Sequence, residues 1–160
     1  MFVQLPTRQK SGLRWATPLA FAALWLAYLW ASTRPDAPQR ALLQEWGALT
    51  GGPAAVDTWS ALWTGQRWLR LFTAMFLHAD WAHLLGNLVF LLMFGLPAER
   101  TMGPWRFLVL FLLGGTIANL AAVFMIGTPE RLIIGASGAV SAVIGAYLAL
   151  FPRAKLGVVV

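Results

Sequence analysis

Two histidines, an aspartate and an asparagine stand at the head of the otherwise apolar run HADWAHLLGNLVFLLMFGL, which begins at His78. His83 and Asn87 are four residues apart, which on a helix places both on one face, about 6 Å apart along the axis. His78 precedes His83 by five residues, about 140° around a helix, so these two need not face the same way. Polar groups at such a position can stabilise a developing negative charge or can simply join two helices. The spacing leaves both interpretations open.

A second polar group occurs in GASGAVSAVIGAYLAL, which begins at Gly135. Ser137 lies between Gly135 and Gly138 at the expected start of a helix, where free N–H groups and the positive end of the helix dipole favour an oxyanion. Ser137, Ser141 and Gly145 also recur every four residues. Such a row of small residues lets helices pack closely in lipid, which explains Ser141 and Gly145 without any chemistry.

The composition sets the environment of both groups. The chain of 160 residues is 59% hydrophobic and 11% charged, whereas a soluble domain is roughly 45–50% apolar and 25% charged. The net charge of +6 comes from Lys and Arg residues scattered between apolar blocks, which argues against a nucleic-acid partner. Cysteine is absent, which excludes a disulfide framework, a thiolate nucleophile and a sulfur-ligated metal. The composition predicts a membrane protein in contact with a lipid bilayer.

Four uncharged apolar segments approach the length of about 20 residues that crosses a bilayer. These predicted spans are residues 15–33, 81–98, 107–126 and 132–151. They predict an all-α polytopic helical bundle with four transmembrane helices in this chain. Residues 1–14 would be a cytoplasmic amino-terminal segment, and residues 15–160 a membrane domain. Residues 34–70 are rich in tryptophan, which predicts a loop lying at the membrane interface.

The basic residues beside the spans predict the orientation. With the amino terminus inside, the inner segments hold seven Lys and Arg residues and the outer segments five, and cytoplasmic loops usually hold the larger number. The protein is therefore expected in the plasma (inner) membrane with a cytoplasmic amino terminus. Ser137 then enters the membrane from the same outer face as His83 and Asn87, so the two polar groups can meet.

In this combination the motifs resemble those of the rhomboid family of intramembrane serine proteases. The family pattern His, four residues, His, three residues, Asn and its GxSG motif are matched by His78, His83, Asn87, Gly135, Ser137, Gly138 and, seven residues on, Gly145. Upstream, RWLRLFTAMFLH looks like the family's Trp-x-Arg-x-x-Thr run, with Trp68, Arg70 and Thr73 in place. Glu99 and Gly103 also sit as in the loop after the family's second helix. The resemblance covers residues 15–160.

This resemblance implies a six-helix fold and a Ser–His dyad without a cofactor or metal. Ser137 would be the nucleophile, and the side chains of His83 and Asn87 with the backbone N–H of Ser137 would stabilise the oxyanion. The substrates would be membrane proteins cut in or near a transmembrane segment. The residues that would support the site are His78, Gly135, Gly138, Gly145, Trp68 and Arg70.

The chain departs from the family in its histidines. The family's general base is a histidine on the last helix, whereas this sequence contains only His78 and His83 and stops at Val160. A serine hydroxyl needs a positioned base to attack an amide. We therefore expect that the base is not in this chain and that these 160 residues alone are catalytically inert. A second departure is Ser141, which stands where many family members have an aromatic ring.

Several alternatives remain at this point. His83 can in principle be the base, although one imidazole cannot easily also donate to the oxyanion. A catalytically inactive rhomboid-like protein that binds transmembrane segments would show most of the same features. A transporter or channel fragment, or a metal site built from His78, Asp80 and His83, would need mid-membrane charges or a firm third ligand that the sequence does not offer.

Overall fold

The computed structural model describes residues 14–50, 67–126 and 131–153. Its helices are α1 (Ala16–Ser32), α2 (Asp36–Trp46), α3 (Arg67–Thr73), α4 (Trp81–Met102), α5 (Pro104–Met125) and α6 (Ser137–Leu150). A 3-10 turn over Ala74–Phe76 follows α3 directly. Two short strands, β1 (Ala48–Leu49) and β2 (Leu132–Ile133), form a two-stranded sheet.

The ends of α4 are set by residues suited to helix termini. At the start, the side chain of Asp80 caps the helix, because its Oδ1 accepts a hydrogen bond from the His83 amide at 2.8 Å. At the end, Gly103 adopts a φ of 87°, a conformation that side chains other than glycine rarely take. Pro104 then begins α5, as proline often does at the first helical position. The result is a sharp turn between two long apolar helices.

The short sheet joins the first loop to the segment that leads into α6. β1 and β2 pair antiparallel, with Ala48 opposite Ile133 and Leu49 opposite Leu132. The Thr50 amide donates to the Arg131 carbonyl at 2.9 Å, and the Arg131 amide donates to the Thr50 hydroxyl at 3.0 Å. The approach to Ser137 is therefore held by backbone bonds to a distant part of the chain.

The core lies where α5 and α6 pack on each other and α4 packs against both and against α1. Its largest buried side chains include Phe107, Phe111, Leu84 and Leu91. The outward faces carry large apolar side chains as well: the exposed fraction is 69% for Trp105, and other examples are Trp81, Ile117, Leu26 and Met125. An apolar exterior of this extent is expected of a protein surrounded by lipid rather than water.

The prediction of a helical bundle of membrane type is confirmed at this level. α4 and α5 are long and apolar enough to cross a membrane, whereas the apolar helices α1 and α6 are shorter than 18 residues. Four crossings therefore stay a prediction, as does the predicted cytoplasmic segment over residues 1–14, of which residues 1–13 lie outside the described residues.

Three predicted boundaries differ from the structure. The charge at Glu99 predicts that the span over 81–98 ends there, but the helix α4 continues to Met102. It can continue because the Glu99 carboxylate is buried and hydrogen-bonded. The span over 107–126 begins earlier, at Pro104. The span over 132–151 becomes helical only at Ser137, since residues 132 and 133 are used in β2. The predicted interfacial loop contains α2 and β1, while its residues 51–66 lie outside the described part of the chain.

Candidate active site

Four polar residues gather around the first turn of α4. Because Asp80 starts the helix, His83 lies in its first turn and Asn87 follows one turn later on the same face. His78 precedes the helix, and its ring reaches within 5.2 Å of the His83 ring, centroid to centroid, in an edge-on arrangement. His78 is thus not on the helix itself, but its ring lies beside His83 and Asn87, a proximity that the spacing of the residues left open.

His78 links α4 to the loop that precedes Ser137. Its Nε2 receives a hydrogen bond from the backbone N–H of Ala136 at 3.3 Å and lies 3.0 Å from the amide nitrogen of Asn87. A backbone N–H can only donate, so Nε2 accepts and the neutral ring carries its proton on Nδ1. The side chain is fully buried, and Nδ1 bonds to none of the described residues.

The same burial controls the protonation of His78. Removal from water, reinforced by the neighbouring His83, lowers the pKa of His78 from 6.5 to about 4, and the nearby backbone of Phe76 and the Asp80 carboxylate oppose this only in part. The ring is consequently neutral at physiological pH, with its one acceptor nitrogen already engaged by two donors. These properties fit a residue that holds the site together better than one that takes a proton from serine.

His83 lies against the backbone of the serine loop. A Cβ placed on Gly135 would be 2.6 Å from Cε1 and 2.8 Å from Nε2 of the His83 ring, so any side chain there would displace the imidazole. Gly135 also has a φ of 113°, which disfavours other residues independently. Its N–H donates to the carbonyl of Ala74 at 2.9 Å. Glycine at this position allows the half-buried His83 ring to approach the backbone two residues before Ser137.

Ser137 is the first residue of α6 and is exposed. Its hydroxyl forms no hydrogen bond with another described residue, and no side chain caps the helix at Ala136. The first N–H groups of α6 therefore remain available beside a free hydroxyl, at the positive end of the helix dipole. This is a suitable place to stabilise negative charge on an atom bonded to Ser137.

α6 packs on α5 through Gly138 and Ala142, and not through Ser141 and Gly145 as the row of small residues predicts. A Cβ on Gly138 would be 2.5 Å from the Cβ of Ala118 in α5, and one on Gly114 would meet Ala142. Gly145 has open space at its Cα, and Ser141 is exposed. Both thus lie on a part of α6 that the described helices leave uncovered.

The upstream motif holds the first loop and makes no direct bond to the histidines. The hydroxyl of Thr73 donates to the carbonyl of Trp46 at 2.7 Å, which ties α3 to the end of α2. Trp68 is exposed and Arg70 half-buried, and within the described residues no hydrogen bond or ring contact joins either of them to His78 or His83.

Several contributors to this cluster have no signature in the sequence motif. The N–H of Ala136 and the carbonyl of Ala74 are backbone groups, and every residue offers them. Glu99, expected in a loop, lies in the last turn of α4, where its two oxygens accept the Ala16 and Thr17 amides at 2.9 Å each. Glu99 is only 1% exposed, and the one sequence feature that points to this burial is its position directly after an apolar run.

The fold and this cluster define a mostly helical protein of membrane type. An exposed serine, Ser137, stands at the amino terminus of one helix, and its hydroxyl bonds no other described residue. A family model described as the rhomboid domain matches residues 65–159, more than half of the chain. The chain therefore belongs to the rhomboid family, and the family indicated by its motifs is confirmed.

Individual relatives include proteases and an inactive member. Rhomboid-like protease 3 of Toxoplasma gondii is 40% identical over 84 residues, which cover 52% of this chain and 31% of that protein. Rhomboid protease GluP of Bacillus subtilis (strain 168) is 38% identical over 88 residues, 54% of this chain and 17% of that protein. Inactive RHOMBOID-like protein 8 of Arabidopsis thaliana is 30% identical over 116 residues, 72% of this chain and 30% of that protein.

The matches cover only part of these proteins. The chain spans 23% to 40% of the length of four curated relatives that it matches, one of which is Rhomboid-like protease 3. No solved structure matches the chain. Family membership is consequently established, whereas activity and substrate are matters for proposal.

Proposed function

We propose that this chain carries the nucleophile and oxyanion site of a rhomboid-type intramembrane serine endopeptidase, which cuts membrane proteins in or near a transmembrane segment. The observation that carries the proposal is the exposed hydroxyl of Ser137, which bonds no other described residue. It stands at the amino terminus of α6, directly after a loop fixed against His78 and His83. Exposure alone does not distinguish Ser137, because Ser141 is exposed as well. The distinguishing feature of Ser137 is its place at the start of α6, next to the Ala136 amide that bonds His78.

In the proposed reaction the Ser137 hydroxyl oxygen attacks the carbonyl carbon of the scissile peptide while a base removes its proton. The carbonyl oxygen becomes an oxyanion, which the N–H of Ser137 and the side chains of His83 and Asn87 stabilise. Collapse breaks the C–N bond, the amine leaves with a proton, and the acyl ester on Ser137 is then hydrolysed by water. The reaction needs no cofactor and no metal.

Asn87 has the hydrogen-bonding capacity for this role although it contacts His78. Its amide nitrogen carries two N–H groups, of which one suffices for the bond to His78 Nε2. The other is free to donate to an oxyanion. Anchoring by a neutral buried ring also orients the amide before substrate arrives, which is how a preorganised donor lowers a barrier.

The general base is proposed to be a third histidine, supplied by a part of the full-length protein outside these residues. His78 is excluded from this role by its engaged Nε2, and His83 is assigned to the oxyanion. For a cytoplasmic amino terminus and four crossings, α4 and α6 both enter the membrane from its outer face. The site formed at the starts of α4 and α6 then faces outward, toward single-span substrates that present a destabilised helical segment at that face.

Cleavage by the full-length protein in proteoliposomes, with single-span membrane proteins as substrates, tests the proposal. Ser137→Ala should abolish cleavage, while the matched variant Ser141→Ala, one turn along the same exposed face of α6, should retain it. Cleavage by Ser137→Ala at the wild-type rate would show that another residue is the nucleophile.

A second candidate function is binding of transmembrane segments without cleavage. The 30% identity to an inactive rhomboid-like protein over 72% of this chain favours it, whereas the intact serine motif favours the protease. Capture of single-span proteins by the wild type, with no cleavage at any time and no effect of Ser137→Ala, would support binding alone.

A further inference from the structure

Asn119 is a buried amide within the apolar helix α5. Only 5% of its surface is exposed, and α5 is long and apolar enough to cross a membrane. An amide in such a place is costly unless it is hydrogen-bonded, so its presence calls for a specific partner. That partner is the carbonyl oxygen of Leu71, to which Nδ2 of Asn119 donates at 2.8 Å.

The bond holds the point where α3 gives way to the 3-10 turn. Leu71 lies in the last turn of α3 (Arg67–Thr73), where carbonyl groups lack regular helical partners. The tighter turn over Ala74–Phe76 follows at once. Asn119 therefore acts as a carboxyl-terminal cap for α3 that is supplied by a different helix.

The capped segment in turn holds the loop before Ser137. The carbonyl of Ala74, three residues after Leu71, accepts the N–H of Gly135 at 2.9 Å. Gly135 is the residue with positive φ whose missing side chain makes room for the His83 ring. A shift of the 3-10 turn would therefore move the loop that sets the start of α6.

α5 supports both sides of this contact. Gly115, one turn before Asn119, receives Met75 of the 3-10 turn, since a Cβ on Gly115 would be 2.9 Å from the Met75 methyl carbon. Ala118 meets Gly138, next to the serine, on α6. One helix thus fixes the 3-10 turn and the serine helix relative to each other, and the Asn119 side chain links it to α3 by a hydrogen bond.

We propose that Asn119 is a positioning residue for Ser137, which acts through the Leu71 carbonyl, the 3-10 turn and the bond from Gly135 to Ala74. The catalytic part of this statement rests on the proposed protease function. The positional part does not, because it concerns the Gly135 bond alone.

Hydrogen exchange of the full-length protein in detergent tests the positional part. Asn119→Leu removes the donor and should speed exchange of the Gly135 amide about tenfold, the effect of losing a bond of roughly 1.4 kcal/mol. Thr116→Val is the matched control, because its lost bond lies within α5 and should leave Gly135 exchange unchanged. Asn119→His, which can donate through Nδ1, should restore slow exchange.

Cleavage kinetics test the catalytic part with the same variants. Asn119→Leu should lower kcat about tenfold at unchanged KM, and Asn119→His should recover most of the loss. Native Gly135 exchange in Asn119→Leu, or a loss of kcat that matches the loss of folded protein, would overturn the proposal. If Asn119→Leu does not fold, Asn119→Ala removes the same donor without added bulk and is judged by the same results.

Failure of the two proposals can be told apart. If Ser137→Ala still cleaves, the protease assignment to Ser137 is wrong, and faster Gly135 exchange in Asn119→Leu would still support the positional link. If Ser137→Ala is inactive but Gly135 exchange is insensitive to Asn119, the protease assignment stands and the positioning role does not.

Discussion

The two ends of α4 carry buried polar groups of opposite character. At its last turn, Glu99 is buried and uses both oxygens to accept the first amides of α1. Near its start, Asn87 and His78 are also buried and bonded to each other. The adjacent His83, however, is half-buried, and the exposed hydroxyl of Ser137 bonds no other described residue.

The difference separates support from chemistry. A carboxylate whose oxygens both accept bonds from helix N–H groups has little left to offer a substrate, and it stabilises the junction of α1 and α4. Polar groups near Ser137 that are not fully hydrogen-bonded can contact a substrate. Until a partner binds, their unmade hydrogen bonds lower the stability of the protein. We therefore expect changes at Glu99 to affect folding and changes near Ser137 to affect turnover.

The largest effect should follow from Asn87→Ala. Loss of one oxyanion donor lowers kcat by roughly 10²–10³-fold, while KM should change little because the donor acts on the transition state. Steady-state cleavage by the folded full-length protein measures both constants. An unchanged kcat with a large fall in melting temperature would place Asn87 with Glu99, as a residue that only ties segments together.

Acid should lower the stability of the protein through His78. Its pKa is about 4 in the folded protein and 6.5 ordinarily, so between these values the unfolded chain binds a proton that the folded chain does not. The free energy of unfolding should fall as the pH drops from about 6.5 to about 4, by about 1 to 3 kcal/mol. Thermal unfolding in detergent at pH 7.5 and pH 5 measures the loss.

The matched variant for this pH effect is His78→Gln. Its side-chain oxygen can accept the Ala136 and Asn87 donors as Nε2 does but does not titrate. The variant should lose less stability on acidification than the wild type. Identical pH profiles would contradict the assignment of the acid effect to His78.

Glu99→Gln should lower stability rather than rate. The amide keeps one acceptor but turns an N–H₂ group toward a helix N–H, which costs about 1 to 3 kcal/mol of unfolding free energy. Thr101→Val, an exposed neighbour bonded within α4, should change stability by less than about 0.5 kcal/mol. A large fall in kcat of folded Glu99→Gln would break the contrast between the two ends.

The sequence predicted the parts of the molecule that depend on side-chain type and spacing. The apolar runs predicted α4 and α5, because an uncharged apolar segment of about 20 residues is typical of a membrane helix. The spacing of His83 and Asn87 predicted that they share one helix face. It did not predict that Glu99 lies inside a helix, because a charge usually ends an apolar span and only the distant amides of Ala16 and Thr17 reverse that expectation.

Backbone partners were equally out of reach of the sequence. The Ala136 N–H that engages His78, the Ala74 carbonyl that holds Gly135 and the Leu71 carbonyl that receives Asn119 are groups that any residue provides. Their use depends on tertiary contacts between segments far apart in the chain. The roles of Ser137, His83 and Asn87 stay predictions until they are measured.

The most direct test of the central claim is the site of covalent reaction with a fluorophosphonate probe, mapped by mass spectrometry on the full-length protein in detergent. The account predicts one adduct, on Ser137, which disappears in Ser137→Ala and persists in Ser141→Ala. An adduct on Ser141 with none on Ser137, or cleavage of a membrane substrate that persists in a preparation in which Ser137 is fully modified, would contradict it.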